Sequence, residues 1–182
     1  TLKPNIDAEK RISMSHRFSR KIVSACGSPD YRSISEIVEK IPKLESKIKI
    51  KAEVVYHSVI DLNSVSENFK VTGGVHAAAL YSFDGKLLFL AEDVGRHNAV
   101  DKAIGAGSLA KIDFSTVFLV LSGRLTGDLV LKAARMKIPV VASLATAISS
   151  GLDVAKVTGV TLVGFVRNNR MNVYSYPERI KV

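Results

Sequence analysis

The chain has 182 residues, 26 of them Lys or Arg against 17 Asp or Glu, for a net charge of +9 and a pI near 9.7. Apolar residues make up 47% of it, which excludes global disorder and allows a sizeable core. No apolar run approaches the roughly 20 residues of a membrane span, and no apolar signal region opens the chain. The single cysteine, Cys26, excludes an internal disulfide and a CxxC zinc ribbon. A soluble, cytoplasmic protein with no membrane partner is expected. The first residue is Thr, so native sequence is expected before it.

Charge is concentrated early. Residues 1–51 hold 12 basic and 6 acidic residues, and Lys10, Arg11, His16, Arg17, Arg20 and Lys21 run with no acid before Asp30. A solvated helix face is the plain account of such a run; an anionic partner is the functional one. With no RNP1-like motif, KH loop or zinc finger, a phosphate-rich small molecule is expected and nucleic acid is not.

Residues 1–14 read as a lead-in. A helix over 15–25, with Phe18, Ile22 and Val23 on one side, is broken by CGSPD at 26–30. Ser33 and Glu36 form a capping box for a helix over 33–41, striped by Ile34, Ile37, Val38 and Ile41 and ended by Pro42. The Lys–Ile alternation at 46–52 suggests an edge strand or a linker. A helix over 53–69 follows, with Val55, Val59, Leu62 and Phe69 at helical spacing. Strands at 75–82 and 86–91 flank Asp84-Gly85, a hairpin signal. Then come a helix over 94–110, a buried strand at 116–121, a helix over 126–137, a strand at 138–142, a helix over 148–157, and strands at 160–166 and 171–176. This order predicts an α/β fold with a mostly parallel mixed sheet covered on both faces. It occupies residues 71–182, preceded by an α-rich N-terminal segment, 1–70, that carries the Cys26 loop.

Ligands of open α/β sheets bind beyond the carboxyl ends of strands, and four such places are rich in polar residues or glycine. Gly73 and Gly74, before His76, let a backbone approach an anion; a turn and a satisfied histidine explain them more simply. At 92–102, Asp93 suits an N-cap and Arg96, His97 and Asn98 crowd a helix start ready for an anion. His97 and Asp101 are four apart, as are Asn98 and Lys102, so Asp101 is placed to orient the imidazole. Ser122, Gly123 and Arg124, with Thr126 as cap, follow the most buried strand and offer a hydroxyl, a free backbone and a guanidinium for phosphate. Phe165, Val166, Arg167, Asn168, Asn169 and Arg170 place an aromatic before two arginines: a base stacked on Phe165 with phosphates on the arginines, or a hairpin with a solvated tip.

Cys26 stands on a loop downstream of Arg20 and Lys21, cations that favour thiolate; a buried apolar role is the common alternative. An exposed thiolate there can accept and pass on a sulfane sulfur. Gly105–Ala110 matches a dinucleotide fingerprint but follows a helix, so it is rejected. The H-x-E with P-C-x-x-C signature of zinc deaminases is absent, and four scattered histidines with one cysteine predict no metal site.

TGGVHAAAL (72–80), EDVGRHNAVDKAIG (92–105), SGRLTGDLVLKAA (122–134) and LVGFVRNNRMNVYSYPERI (162–180), in this order, resemble the FdhD family of formate dehydrogenase accessory sulfurtransferases. The resemblance implies a cytidine-deaminase-like three-layer αβα fold without zinc. It implies that a cysteine desulfurase loads a cysteine with persulfide sulfur, for delivery to the molybdenum or tungsten bis-pterin guanine dinucleotide cofactor of the formate dehydrogenase catalytic subunit. A homodimer that binds the guanine dinucleotide is also implied. The family's persulfide cysteine opens a C-G-x-C motif, which places the catalytic role on Cys26, with Pro29 where the second cysteine would stand. Its cofactor-binding segment maps onto Phe165–Arg170. Asp128 stands where the family usually has Glu, and Thr146-Ala147-Ile148 where it often has Ala-Pro-Thr.

Overall fold

A computed structural model describes Val38 and residues 41–182. The Cys26 loop, the expected helix over 15–25, the basic run and the Ser33–Glu36 capping box lie outside the described residues. The elements are β1 (Ile50–Lys51), α1 (Ala52–Val65), α2 (Glu67–Thr72), β2 (His76–Ser82), β3 (Leu87–Asp93), α3 (Arg96–Leu109), β4 (Val117–Leu121), α4 (Gly127–Arg135), β5 (Val140–Ser143), α5 (Ser149–Thr158), β6 (Thr161–Arg167), β7 (Arg170–Val173) and β8 (Ile180–Lys181).

Six strands form one sheet in the order β3-β2-β4-β5-β6-β7. The central pairs β4–β5 and β5–β6 are parallel; the β2–β3, β2–β4 and β6–β7 pairs are antiparallel. Period-two alternation divides the core between the two faces. Ala78 and Leu80 of β2, with Leu119 and Leu121 of β4, join Val100 of α3, Leu129 of α4 and Val154 of α5. Ala77, Ala79, Tyr81, Phe118 and Val120 join Val55, Val59 and Leu62 of α1. Helices therefore cover both faces, and the α/β, three-layer expectation holds. A division at residue 70 passes through this body, since α1, with its fully buried Val55, Val59 and Leu62, is its second helical layer.

Local differences have local causes. The helix expected over 53–69 is two helices. Ser66 leaves helical geometry (φ −85°, ψ 93°) while its Oγ donates to the Leu62 carbonyl at 2.6 Å, a bond that competes with the helix. The start of α2 is then satisfied from outside: the Glu92 carboxylate of β3 accepts the Phe69 N–H at 2.7 Å and the Asn68 N–H at 3.2 Å. The Lys–Ile alternation yields only the two residues of β1, paired in parallel with β8. The strand expected at 171–176, β7, stops at Val173, short of Tyr176, which takes a left-handed φ of 47°.

Candidate functional site

The carboxyl ends of β4, β5 and β6 lie along one edge of the sheet. Antiparallel pairing (Ala78 with Leu121, His76 with Asp93) brings the start of β2 and the end of β3 to the same edge, and β7 starts there at Arg170. All four polar clusters therefore share one rim, about 24 Å long at the usual strand spacing. Its middle is stitched together. Ser143 Oγ donates to the Gly123 carbonyl at 2.7 Å and accepts the Ala145 N–H at 3.0 Å, and the Ala145 carbonyl accepts the Phe165 N–H at 3.1 Å.

At the β2–β4 end, Gly123 is closely approached. A Cβ there would lie 3.2 Å from Arg96 Cβ and 3.4 Å from His76 Nδ1, so its lack of a side chain lets Arg96 and His76 converge. Ser122 Oγ accepts the Ala77 N–H at 3.0 Å and sits 3.4 Å from His76 Nδ1. Its hydroxyl proton is thus available to Nδ1, an assignment from the hydrogen-bond network that makes the Nε2–H of a neutral His76 the free donor. Burial, then the charges of Arg96 and His97, hold His76 below its ordinary value of 6.5. As pH falls, the unfolded chain takes up this proton first, so stability fully present above pH 6.5 declines below it. His76→Gln is expected to flatten the stability slope between about pH 7 and about pH 5, read by urea unfolding at each pH. An unchanged slope would remove His76 as its source.

The expected pairing of His97 with Asp101 does not form. His97 Nε2 meets the Asp128 carboxylate of α4, and Asp101 takes Lys132 of the same helix at 2.6 Å. Spacing along α3 identified a usable carboxylate, but α4 packs alongside and supplies both partners. Asp93 is not the N-cap, a position held by Gly95. Its carboxylate instead accepts the Gly95 N–H at 2.9 Å and Asn98 Nδ2 at 3.0 Å and pairs with Lys102 Nζ at 2.5 Å. Lys102 first, then Gly95 and Asn98, pull its carboxyl down to about 2. Asn98 and Lys102 therefore brace the rim from within. The glycine turn is also internally used: Gly73, a left-handed C-cap with φ 59°, donates to the Phe69 carbonyl, and the Gly74 N–H to Thr72 Oγ1 at 3.1 Å. Neither amide is left for an anion. Arg124 is exposed. Among the described residues three polar atoms here are buried without a hydrogen-bond partner, Arg96 Nε, Thr126 Oγ1 and His97 Nε2, of which His97 Nε2 has the Asp128 carboxylate as an ion-pair contact. No sequence signal marks them, because burial without a partner is a tertiary property.

At the β6–β7 end, Asn168 and Asn169 both have positive φ (50° and 54°), the conformation of a two-residue type I′ hairpin, and Arg167 pairs with Arg170. A register shift between Gly164 and Arg167 puts Phe165 at φ 53°. Its ring lies 5.4 Å from the Arg167 guanidinium, a cation–π contact. Phe165, Arg167, Asn168, Arg170 and Asn172 line an open cavity of ≈ 580 Å³. Val166 does not join them; it is buried in the core on the α1 face.

A family model described as the FdhD/NarQ family matches residues 2–181. The chain belongs to that family. It is 39% identical over 154 residues to the sulfur carrier protein FdhD of Methanothermobacter thermautotrophicus, covering 85% of this chain and 61% of that protein. It is 40% identical over 164 residues to the sulfur carrier protein FdhD of Thermoplasma volcanium, covering 90% and 59%. This FdhD/NarQ chain thus spans about three fifths of the length of these curated relatives. A crystal structure from Desulfotalea psychrophila, described as a formate dehydrogenase accessory protein, superposes with a TM-score of 0.72 at 36% identity, over 80% of this chain and 62% of that one.

Proposed function

We propose that this chain is the body of a sulfur carrier serving a formate dehydrogenase. Cys26, as thiolate, attacks the outer sulfur of a persulfide held by a cysteine desulfurase. A sulfur–sulfur bond forms at Cys26, the donor's sulfur–sulfur bond breaks, and the donor cysteine leaves as thiolate. The Cys26 sulfur–sulfur bond then breaks and the sulfane sulfur would be taken up as sulfide by the reduced metal of a molybdenum or tungsten bis-pterin guanine dinucleotide, a cargo that supplies the two electrons before it enters the catalytic subunit, while Cys26 leaves as thiolate. The working unit is a homodimer in the cytoplasm.

The observation that carries this reading is Arg96. Its Nε is buried without a partner where the start of α3, His76 and Gly123 meet. A guanidinium short of acceptors beside a helix N-terminus suits a pyrophosphate or a persulfide anion. The rim length of about 24 Å exceeds what one nucleotide needs, and Phe165, Arg167 and Arg170 at its far end suit a second phosphate or a purine. Family membership and the naming of relatives as sulfur carriers support the covalent step.

Incubation with a desulfurase and cysteine is expected to add about 32 Da, one sulfur, to the wild-type protein and nothing to Cys26→Ala. Guanosine diphosphate should bind both alike. Sulfur uptake by the alanine variant would remove Cys26 from its role. No uptake by either protein would leave the second reading, a cofactor-holding chaperone without a covalent step, which Pro29 in place of a second thiol favours.

A further inference from the structure

The end of the sheet opposite the rim holds a separate concavity. There α1 and the β2–β3 hairpin enclose a groove of ≈ 540 Å³ whose walls include Val54, Ser58, Ile60, Asp61, Ser64 and Asp84. The length of β2 separates it from the rim by about 20 Å. It gathers two carboxylates on a chain whose net charge is +9.

Ser58 makes the groove more than an acidic cluster. It is 2% exposed, and its Oγ has no hydrogen-bond partner. Ser64, Ser66, Thr72 and Thr158, in or capping helices, each donate to the carbonyl four residues earlier. Ser58 forgoes that bond, and an unpaired buried hydroxyl costs stability. A Cβ on Gly85 would lie 3.8 Å from Ser58 Oγ, so the hydroxyl faces the hairpin across the groove. The carboxylates keep spare capacity. Asp61 Oδ2 accepts the Tyr81 hydroxyl at 2.9 Å, leaving Oδ1. Asp84 Oδ1 accepts Ser82 Oγ, the main reason its carboxyl stays below the usual range and charged.

The unused carboxylate oxygens are therefore acceptors around one hydroxyl, beside the aliphatic walls of Val54 and Ile60, and the exposed imidazole of His57 also lines the groove. Among the described residues no three His, Cys, Asp or Glu side chains converge as a metal site would require. The volume is that of an organic ligand. We propose that this groove binds a primary alkylammonium, carried by a free polyamine or by a lysine side chain, with its N–H groups on Asp61, Asp84 and Ser58 Oγ and its methylenes on Val54 and Ile60.

The test is an amide-resolved NMR titration with spermidine, with Nα-acetyl-lysine methylamide, and with tetramethylammonium at matched ionic strength. Spermidine or the lysine derivative should saturate shifts at Ser58, Asp61, Asp84 and Gly85, and the tighter of the two names the source. Tetramethylammonium, which has no N–H, should not. Ser58→Ala and Asp84→Asn should each weaken binding about tenfold. Without ligand, Ser58→Ala should keep or raise the melting temperature, because it removes an unpaired hydroxyl. Equal binding of tetramethylammonium, no saturation by either amine, unchanged affinity in both variants, or a lowered melting temperature for Ser58→Ala would each overturn the proposal. None of these readouts depends on sulfur transfer or on the rim.

Discussion

Arg179→Ala is expected to lower the unfolding free energy by about 3 kcal/mol or more, the cost of removing a charged donor from several carbonyl acceptors at once. Arg179 is 4% exposed. Its Nε donates to the Ser46 carbonyl at 3.0 Å and Nη2 to the Leu44 carbonyl at 2.9 Å. Nη1 reaches the Gly159 carbonyl, Thr161 Oγ1 at 3.3 Å and the Pro139 carbonyl at 3.4 Å. The Tyr176 ring covers the guanidinium at 5.1 Å. Gly159 is the C-cap of α5, so the cation also sits at the negative end of that helix. One side chain thus ties segment 44–46, the end of α5 and the start of β6 together, beside the β1–β8 pair. Alanine leaves the Leu44, Ser46 and Gly159 carbonyls without this donor, while the Pro139 carbonyl keeps the Thr161 N–H at 2.9 Å. Lysine keeps the charge but offers one nitrogen to acceptors that surround a planar fork, so Arg179→Lys should recover less than half of the loss. Urea unfolding at constant slope measures both. A loss below about 1 kcal/mol would mean that water or another side chain replaces the guanidinium.

Much of the architecture was legible, and the reason is physical. The run Val117–Leu121 is apolar throughout because β4 is central and covered on both faces. Asp84-Gly85 marked the β2–β3 hairpin because its turn needs a positive φ, and Gly85 supplies 90°. The rim was legible as a place, since the carboxyl ends of strands collect polar loops whatever the ligand. Partners within the rim were not. Helical spacing offered Asp101 to His97, yet the packing of α4 on α3 gives His97 to Asp128 and Asp101 to Lys132. Gly73 and Gly74 looked like an anion nest but spend their amides on ending α2. Val166 reads with its neighbours as a binding residue, but the register shift between Gly164 and Arg167 turns it into the core on the same face as Val163. In each case sequence supplied the residue type and tertiary contact chose its partner.

The second large effect concerns the spacing of α4 and α5, on which one half of the rim is built. A Cβ on Gly151 would press into the Leu125 carbonyl oxygen, far inside van der Waals contact, and lie 3.1 Å from its carbonyl carbon. Leu125 cannot yield. It is fully buried, its N–H donates to the Thr146 carbonyl at 2.9 Å, and its carbonyl accepts the Ile148 N–H at 3.1 Å. Helix α5 must therefore retreat or the loop must break. Gly151→Ala is expected to cost about 3 kcal/mol or more, the upper end of overpacking effects, although alanine favours a helix over glycine by about 1 kcal/mol. The rim should register it too. Leu125 leads directly into Thr126, the N-cap of α4, and Asp128 in its first turn holds His97. Displacing that turn separates His97, next in sequence to Arg96, from its carboxylate. Guanosine diphosphate affinity should then fall in the folded variant, while Leu109→Ala, at an exposed site on the far end of α3, leaves it unchanged. If Gly151→Ala proves neutral in both unfolding and nucleotide titration, the contact of α5 with the Leu125 loop does not set the geometry of the rim.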